Sequence, residues 1–383
     1  MTLSMPNNPV ERTPIVARQP ILKVVGLGGG GSNAINRMIE LGLSGVDFIA
    51  ANTDGQALSR SLASKKIQLG PSLTRGLGAG GNPEIGAAAA EESIRELKEA
   101  MAGADMVFLT AGMGGGTGTG AISVAARVAR SIGAVTIAIV TTPFSFEVGR
   151  RQTNARNGLN MLRPHTDTLI TVPNDRLLQV APRDLTLELA FRLADDVLRQ
   201  GIQGITELIT TTGVINVDFS HIQNMMRNGG GAILSIGYGQ GSQKALKAVH
   251  QALHHPILEA IPVESASGII ANFSGGNDLS FIEVSEALCH LQDMAGTSLE
   301  IIPGVTSDEN LHDRCQVILV ITGLGATAVE NISSQVAVRQ TNSQPVSVYS
   351  SPRPSQPAVM PEMQMAAAQS DLDIPAFMRR RMH

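Results

Sequence analysis

The chain has few aromatic residues, few cysteines and little net charge, and each shortage excludes a class of protein. Aromatic residues make up 3% of the 383 residues and tryptophan is absent, which argues against a stacking platform for single-stranded nucleic acid. The net charge is −4, whereas nucleic-acid binding favours a basic surface. Only two cysteines are present, Cys289 and Cys315, both in apolar contexts. They predict two buried, reduced thiols rather than a disulfide framework.

Long apolar runs are missing as well. No run reaches the roughly 18–20 residues that a membrane-spanning helix requires. The first 20 residues are polar and rich in proline, without the apolar core of a signal peptide. The sequence therefore predicts a cytoplasmic protein with a disordered N-terminal tail. What the chain does have is a hydrophobic content of 43% and enough length for two domains.

Glycine is concentrated in a segment that predicts a phosphate site. Six of the nine residues in Gly112–Gly120 are glycine. The segment follows an apolar run typical of a buried strand, 105–110, and precedes a helical pattern over 121–129. Strand, glycine loop and helix form an anion cradle, because glycine lets successive backbone N–H groups approach the ligand. A P-loop would continue with lysine, but Gly116 is followed by Thr117, so a P-loop NTPase is excluded.

Two further glycine segments accompany the first. Gly26–Gly31 fits the dinucleotide pattern G-x-G-x-x-G, and Asp54 follows where a ribose ligand would stand. Alone, this segment would predict a Rossmann dehydrogenase. The stretch Gly76–Glu84 is either an ordinary mobile loop or a third part of the cradle. Several loops together suit a longer polyphosphate, which favours a nucleoside triphosphate over a dinucleotide.

Strand and helix patterns alternate along the chain. Apolar strands are predicted at 21–26, 46–51, 105–110, 135–140 and 168–172, with helices at 32–43, 91–101 and 121–129. Continuous apolar strands between helices predict a parallel sheet covered on both faces, with ligands at the carboxyl ends of the strands. A long helix over 185–211 follows, although two glycines interrupt its pattern.

A second α/β unit is predicted after Gly213. Its strands fall at 232–238, 268–273, 299–302 and 316–322, and its helices at 243–253 and 281–292. The resulting domains are a disordered tail over 1–20, a phosphate-binding domain over 21–184, a central helix over 185–212, a second domain over 213–325, a flexible linker over 326–370 and a C-terminal segment over 371–383. That last segment groups apolar and basic residues, which favours a docking peptide over a frayed solubilising tail.

Several polar and aromatic residues allow two interpretations. Asn174 follows a strand and could bind a purine edge, or it could cap a helix. Phe191 and Asp195 lie four residues apart on one helix, which suits a guanine base but also a core ring beside a surface carboxylate. Glu147 and Arg151 could meet a ribose and phosphate, or form a solvated salt bridge.

With these residues assembled, the chain closely resembles FtsZ, the bacterial tubulin-like GTPase family of cell division. The sequence GGGTGTG at Gly114–Gly120 carries the tubulin motif. Other segments that match the family pattern are Asn52–Asp54, Thr74–Gly81, Pro143–Glu147, Pro173–Asp175 and Asp195–Gly201. The resemblance covers residues 21–325 and resumes at 371–381. It implies a Rossmann-like GTPase domain, a central helix and a smaller α/β activation domain.

The resemblance also assigns the nucleotide site. The phosphates of GTP or GDP would be held by Gly28, Gly29, Gly30, Gly31, Ser32, Gly78, Ala79, Gly80, Gly81, Gly114, Gly115, Gly116, Thr117 and Gly118, with Asn52 also at the nucleotide. Glu147 and Arg151 would meet the ribose, Asn174 and Asp195 would hydrogen-bond guanine, and Phe191 would stack on it. Mg²⁺, and K⁺ as an option, would accompany the nucleotide, and no residue is assigned as a direct metal ligand.

By the same resemblance, the catalytic residues come from a neighbouring subunit of a head-to-tail protofilament. They are Asn216, Asp218 and His221, and His221 stands where the family has a second aspartate. An imidazole is a poor ligand for Mg²⁺ or K⁺ but can orient or deprotonate a water. Either His221 preserves GTP hydrolysis, or the rate of GTP hydrolysis falls.

The implied function is a filament-forming GTPase that scaffolds the division ring in the cytoplasm. Its tail, residues 371–381, would dock a membrane-tethering adaptor. The alternative is a nucleotide-gated structural filament with weak or no hydrolysis.

Overall fold

The computed structural model describes residues 19–147, 149–180, 184–210, 218–254, 266–295 and 299–324. Four predictions fall outside these residues: the disordered N-terminal tail, the flexible linker, the docking peptide and the role of Asn216. Within the described part of the chain, no helix is both long enough and apolar enough to cross a bilayer.

The first half of the chain forms a parallel sheet with helices on both faces, which confirms the predicted architecture. Its strands are β1 (Leu22–Leu27), β2 (Asp47–Asn52), β3 (Lys65–Gln68), β4 (Met106–Gly112), β5 (Val135–Thr142) and β6 (Thr168–Pro173). They lie in the order β3-β2-β1-β4-β5-β6. The helices are α1 (Gly28–Glu40), α2 (Gly55–Ser59), α3 (Pro71–Thr74), α4 (Pro83–Glu92), α5 (Ile94–Met101), α6 (Thr117–Ser131), α7 (Arg150–Leu162) and α8 (Asn174–Val180).

Consecutive strand residues face opposite cores. Val24 packs into a core that includes residues of α1 and of the second half of the chain. Val25 packs into a separate core with residues of α4, α5 and α6. Both side chains are fully buried. Because side chains alternate along a strand, burial on both faces requires the continuous apolar runs seen in the sequence.

A single helix, α9 (Leu187–Thr210), connects the two halves without interruption. The glycines that weaken its helical pattern have a packing role. A Cβ atom at Gly201 would lie 2.8 Å from Leu234, and one at Gly204 would lie 2.9 Å from Ile318. These glycines let the second sheet approach the helix more closely than alanine would allow.

The second half continues the same sheet. Its strands are β7 (Gly230–Gln240), β8 (Gly268–Gly275), β9 (Glu300–Ser307) and β10 (Arg314–Leu324), and its helices are α10 (Phe219–Arg227), α11 (Lys244–Leu253) and α12 (Phe281–Ala295). β7 pairs in parallel with the start of β6, and β10 lies antiparallel between β7 and β8. The described strands form one ten-stranded sheet.

Some boundaries differ from the sequence predictions. α1 begins at Gly28 rather than Ser32, so the four glycines form its first turn, and α6 begins at Thr117 rather than Ala121. The helix predicted at 91–101 is instead two helices, α4 and α5, separated at Ser93. Cys315 is buried as predicted, but Cys289 is exposed, so that part of the prediction was wrong.

Candidate functional site

The three glycine segments meet at the carboxyl edge of the parallel sheet and pack against one another. A Cβ atom at Gly28, where φ is +70°, would lie 2.7 Å from the backbone N of Gly118. One at Gly31 would lie 2.4 Å from the carbonyl O of Thr110. At Gly116 it would lie 2.8 Å from the backbone N of Asn82. These glycines are therefore required by the fold itself.

Other glycines of the same segments border open space. A Cβ atom at Gly29 or Gly115 would meet no atom within 4 Å, and neither residue has a positive φ. Gly80 and Gly81 also face open space, although both have a positive φ. Neither packing nor backbone conformation explains glycine at Gly29 and Gly115. The space that their missing side chains leave, beside the first turn of α1, suits a phosphate chain.

Hydroxyl and amide groups connect the segments. The Oγ1 atoms of Thr53 and Thr117 lie 2.6 Å apart. Asn154 on α7 donates its Nδ2 to the carbonyl oxygens of Gly81 and Gly114, each at 3.3 Å. No sequence pattern indicates Asn154, because its role depends only on where α7 passes. Together with the close approach of Gly28 to Gly118, these hydrogen bonds join the three segments into one surface.

The acidic residue of the dinucleotide pattern has a local function. The Oδ1 of Asp54 accepts hydrogen bonds from the backbone N–H groups of Gln56 and Ala57, at 2.9 and 3.0 Å, and so caps α2. Its backbone N–H donates to the Oδ1 of buried Asn52 at 3.2 Å. The cap accounts for Asp54 without a ribose contact, which removes one support for a dehydrogenase.

Seven buried side-chain polar atoms lack hydrogen-bond partners among the described residues, and two of them belong to predicted nucleotide ligands. These two are the Oγ of Ser32 on α1 and the Oδ1 of Asn174, which is the first residue of α8. Ser32 is 3% exposed and Asn174 is 5% exposed. An unsatisfied buried polar atom costs about 1–3 kcal/mol. A hydroxyl donor and an amide acceptor would both be satisfied by a ligand carrying phosphate oxygens and a purine amine.

Three aromatic rings group near the start of α8, where the backbone N of Ser145 donates to the Oδ1 of Asp175 at 2.8 Å. The rings of Phe144 and Phe146 stack with centroids 5.0 Å apart, and Phe191 on α9 meets Phe144 edge to face at 5.4 Å. Phe144 is fully buried and Phe191 is half-buried. Phe144 therefore sets the position of Phe191, a role that the sequence did not indicate. A half-buried ring still has exposed surface on which another planar group can stack.

One helical turn beyond Phe191, burial raises the pKa of the Asp195 carboxyl to about 7. The charge of Arg37 on α1 opposes this rise in pKa, and Asp196 adds to it. Asp195 is thus a half-buried carboxyl group rather than the surface aspartate of the alternative interpretation. It lies on the same helical face as Phe191.

Glu147 and Arg151 form an ion pair, but Glu147 is not solvated. Its side chain is 4% exposed, whereas that of Arg151 is 32% exposed. The Oε1 of Glu147 also accepts a hydrogen bond from the backbone N of Phe144 at 3.0 Å. The buried carboxylate therefore fixes both the arginine and the segment that carries Phe144. A ribose contact for this pair stays a prediction.

Asp218 and His221 lie at the other edge of the sheet. α9 has 24 residues and is about 36 Å long at 1.5 Å per residue. Its last residue, Thr210, packs against Gly45, which precedes β2. The Oγ1 of Thr168, the first residue of β6, donates to the carbonyl of Met226 near the end of α10. α10 is therefore at the amino edge, opposite the glycine segments.

Asp218 and His221 are both exposed and one helical turn apart. The Oδ1 of Asp218 caps α10 by accepting from the backbone N of Ser220 at 2.9 Å. This hydrogen bond, with a smaller contribution from the charge of His221, lowers the pKa of the Asp218 carboxyl. Asp218 is therefore an ionised hydrogen-bond acceptor at neutral pH. Its exposed side chain can contact a molecule that binds at this edge.

The chain matches two protein-family models. Residues 21–182 match the model described as Tubulin/FtsZ family, GTPase domain, and residues 230–325 match FtsZ family, C-terminal domain. An empty FtsZ dimer from M. jannaschii is 45% identical, with a TM-score of 0.77 over 80% of this chain and 89% of that chain. A point mutant of that FtsZ gives the same identity and TM-score, over 92% of its length. CetZ2 from Haloferax volcanii, in a GTPγS-bound protofilament, shares the fold at 21% identity and a TM-score of 0.69, over 84% of this chain and 100% of that chain.

Proposed function

This chain belongs to the FtsZ family of filament-forming cell-division GTPases, and on that premise we propose that its GTPase site is completed between subunits. One subunit binds GTP at its carboxyl edge, and the next subunit supplies α10 from its amino edge. The observation behind this proposal is that the candidate binding and catalytic side chains lie at opposite edges of one sheet. A surface that binds a different surface of an identical copy builds an open, head-to-tail filament.

GTP binds through its phosphates and its base. The backbone N–H groups around Gly29 and Gly115 face the triphosphate, and the Ser32 hydroxyl donates to it. Guanine lies against Phe191, where the Oδ1 of Asn174 and the carboxylate of Asp195 accept from its N–H groups. The unsatisfied buried atoms and the open space at the glycines support this arrangement.

Hydrolysis requires a positioned water and compensation of the charge on the phosphates. Asp218 of the incoming subunit is ionised and exposed, so it can accept a hydrogen bond from the attacking water. Asn216 assists in positioning that water, and the imidazole of His221 helps to orient it. Mg²⁺ supplies charge compensation when it is bound with the phosphates, as does K⁺. GTP favours assembly because the γ-phosphate completes the interface, and hydrolysis weakens that interface.

A second candidate function follows from His221 alone. Where an aspartate could hold a cation, an imidazole holds Mg²⁺ or K⁺ poorly. A filament gated by GTP but hydrolysing it slowly would have the same cradle and the same polymerisation. Phosphate release measured together with GTP-dependent sedimentation separates the two, because only the structural filament combines assembly with negligible turnover.

A mixing experiment tests the shared site. Gly115→Val fills the phosphate space, and Asp218→Asn removes the carboxylate while keeping a residue able to cap α10. Each variant alone should release little phosphate. Mixed in equal amounts, they should recover activity, because an Asp218→Asn subunit with GTP can meet the intact α10 of a Gly115→Val subunit. Random pairing restores about one quarter of the interfaces. A mixture no more active than its components would refute a site shared between subunits.

We also place the protein in the cytoplasm at the division site, tethered through residues 371–381 to a membrane adaptor. Its apolar and basic residues suit a short peptide that docks in a groove. Deletion of residues 371–383 should leave GTP-dependent sedimentation unchanged and abolish recruitment to vesicles that carry the adaptor. Loss of sedimentation instead would assign the tail to filament assembly.

A further inference from the structure

The outward face of α11 carries a pair of histidines that the GTPase site does not use. The residues of α11 that pack inward are Lys244, Ala245, Ala248, Val249 and Ala252. The exposed positions are Lys247, His250, Gln251 and, at the C-cap, His254. The spacing of four residues places the two imidazoles on the same face, one turn apart. Their exposure means that packing of the second domain does not depend on them.

The two imidazole rings are stacked. Their centroids lie 4.0 Å apart and their planes differ by 22°. The carbonyl O of His250 accepts from the backbone N of His254 at 3.1 Å and lies 2.8 Å from its Nδ1. Because a carbonyl can only accept, Nδ1 carries the hydrogen and neutral His254 keeps a lone pair on Nε2. A hydrogen bond from one ring nitrogen to a backbone carbonyl is how proteins orient metal-binding histidines.

The helix end favours a cation here, whereas the ammonium group of Lys247 on the same face opposes one. His254 follows the last residue of α11, where the carbonyl groups give the helix a negative end. The Nζ of Lys247, on the same face, donates to the carbonyl O of Gln240 at 3.1 Å. A shallow cavity of about 470 Å³ lies along the face, lined by Leu246, Lys247, His250, Gln251 and His254. An ion held by the two imidazoles therefore has room for water ligands.

We propose that His250 and His254 form a two-histidine chelate for a divalent transition-metal ion, with Zn²⁺ as the occupant. Imidazole nitrogen is a preferred ligand of Zn²⁺, Cu²⁺ and Ni²⁺. Tetrahedral Zn²⁺ with bonds of 2.0–2.1 Å requires the two nitrogens about 3.3 Å apart. The rings are stacked, so both must turn out of the stack until each ring plane contains the ion and the ring centres are about 5 Å apart. Exposed side chains four residues apart on a helix can make this turn. No group of three or more potential ligands occurs among the described residues, so water completes the coordination.

The site exists only while α11 is helical, because the chain brings the two rings together through the helical spacing. A metal ion that binds the folded protein alone raises its stability in proportion to the logarithm of its concentration. Zn²⁺ should therefore raise the Tm of the nucleotide-free protein. Each of His250→Gln and His254→Gln should remove that rise while leaving the Tm without metal unchanged, since both side chains are exposed.

Cu²⁺ provides a spectroscopic test on the full chain without nucleotide. With less than one equivalent of Cu²⁺, the paramagnetic resonance spectrum should show coupling to two nitrogen nuclei in the wild type. In each of the two variants the spectrum should show coupling to one nitrogen nucleus. His165→Gln, a histidine on a different element, is the matched control and should behave as wild type. His255 lies outside the described residues, and His255→Gln should also keep the two-nitrogen signal.

The proposal is overturned if both His250→Gln and His254→Gln keep the two-nitrogen signal and the Zn²⁺-dependent rise in Tm. It is also overturned if His165→Gln or His255→Gln removes them equally. Because Cu²⁺ binds imidazole more tightly than Zn²⁺ does, the identity of the occupant is tested by melting, and a wild-type Tm that does not rise with Zn²⁺ would exclude Zn²⁺. None of these measurements depends on GTP turnover.

Discussion

Binding of GTP should depend on pH through one carboxyl group, that of Asp195. Burial raises its pKa to about 7 in the nucleotide-free site, so near neutral pH the group is half protonated. Guanine presents two N–H donors on one edge, and a carboxylate accepts both only when it is ionised. Each GTP bound below pH 7 should therefore displace a proton from Asp195.

The size of the effect follows from the fraction of ionised carboxyl. With a pKa of about 7, the ionised fraction is about nine tenths at pH 8 and about one tenth at pH 6. The apparent affinity for GTP should then fall about tenfold between those two pH values, or about 1.4 kcal/mol. Above pH 8 the affinity should no longer change through this group.

The same group should lower the stability of the nucleotide-free protein as pH rises. Its folded pKa is higher than its unfolded value, so between about pH 4 and pH 7 the folded state binds the extra proton. The free energy of unfolding that the Asp195 carboxyl contributes is therefore present at low pH and is lost as pH rises through that window. Asp195→Asn avoids the loss, and its advantage in stability over wild type should grow by about 2 kcal/mol between pH 5.5 and pH 8.

Two assays check these expectations. Titration with a fluorescent GTP analogue from pH 6 to pH 8.5 gives the affinity, and thermal melting without nucleotide gives the stability. Glu188→Gln is the matched control, because Glu188 is on the same helix but forms an exposed ion pair with Arg192. Asp195→Asn should bind GTP more weakly and without the tenfold pH dependence. A wild-type affinity constant from pH 6 to pH 8, or an unchanged slope in Asp195→Asn, would refute the reasoning.

Two other substitutions separate roles within the site. Gly29→Ala should leave the Tm within about 1 °C of wild type or above it, since the methyl meets open space in a helical turn, yet abolish GTP binding. Gly31→Ala should lower the Tm by several degrees, because its Cβ would lie 2.4 Å from the carbonyl of Thr110. Equal melting points for the two would contradict this distinction. His221→Asp should raise phosphate release per subunit in assembled filaments, and an equal or lower rate would show that His221 is not what limits hydrolysis.

The sequence predicted the parallel sheet and its covering helices because the apolar runs of the strands were continuous. Strands buried on both faces need apolar runs, and the runs that include Val24 and Val25 supplied them. Glycine density also pointed to the carboxyl edge of the sheet, where the three glycine segments meet. The sequence could not predict the start of α1, since glycine is a poor helix former and only the close approach of Gly31 to β4 favours that turn.

Roles that depend on distant neighbours were the least accessible. Gly28 and Gly29 are adjacent and identical in type, yet one is required by packing and the other borders open space. From the sequence Asn174 could be a helix cap or a base ligand, and only the folded chain shows that its buried Oδ1 has no partner among the described residues. Its contact with a base stays a prediction. The raised pKa of Asp195 depends on burial among residues that come together only in the folded chain.

The placement of α10 and the glycine segments at opposite edges sets a counting rule for the filament. If the GTPase site is shared between subunits as proposed, a filament of n subunits has n − 1 complete sites, because the cradle at one end has no neighbour and the α10 at the other end has no nucleotide to meet. A monomer would then be inactive, and a dimer would have one site for two subunits. Turnover per subunit should rise steeply over the first few additions and then level off. GTP in the terminal cradle would be protected from hydrolysis and free to exchange, so the two ends of such a filament would differ chemically as well as in shape.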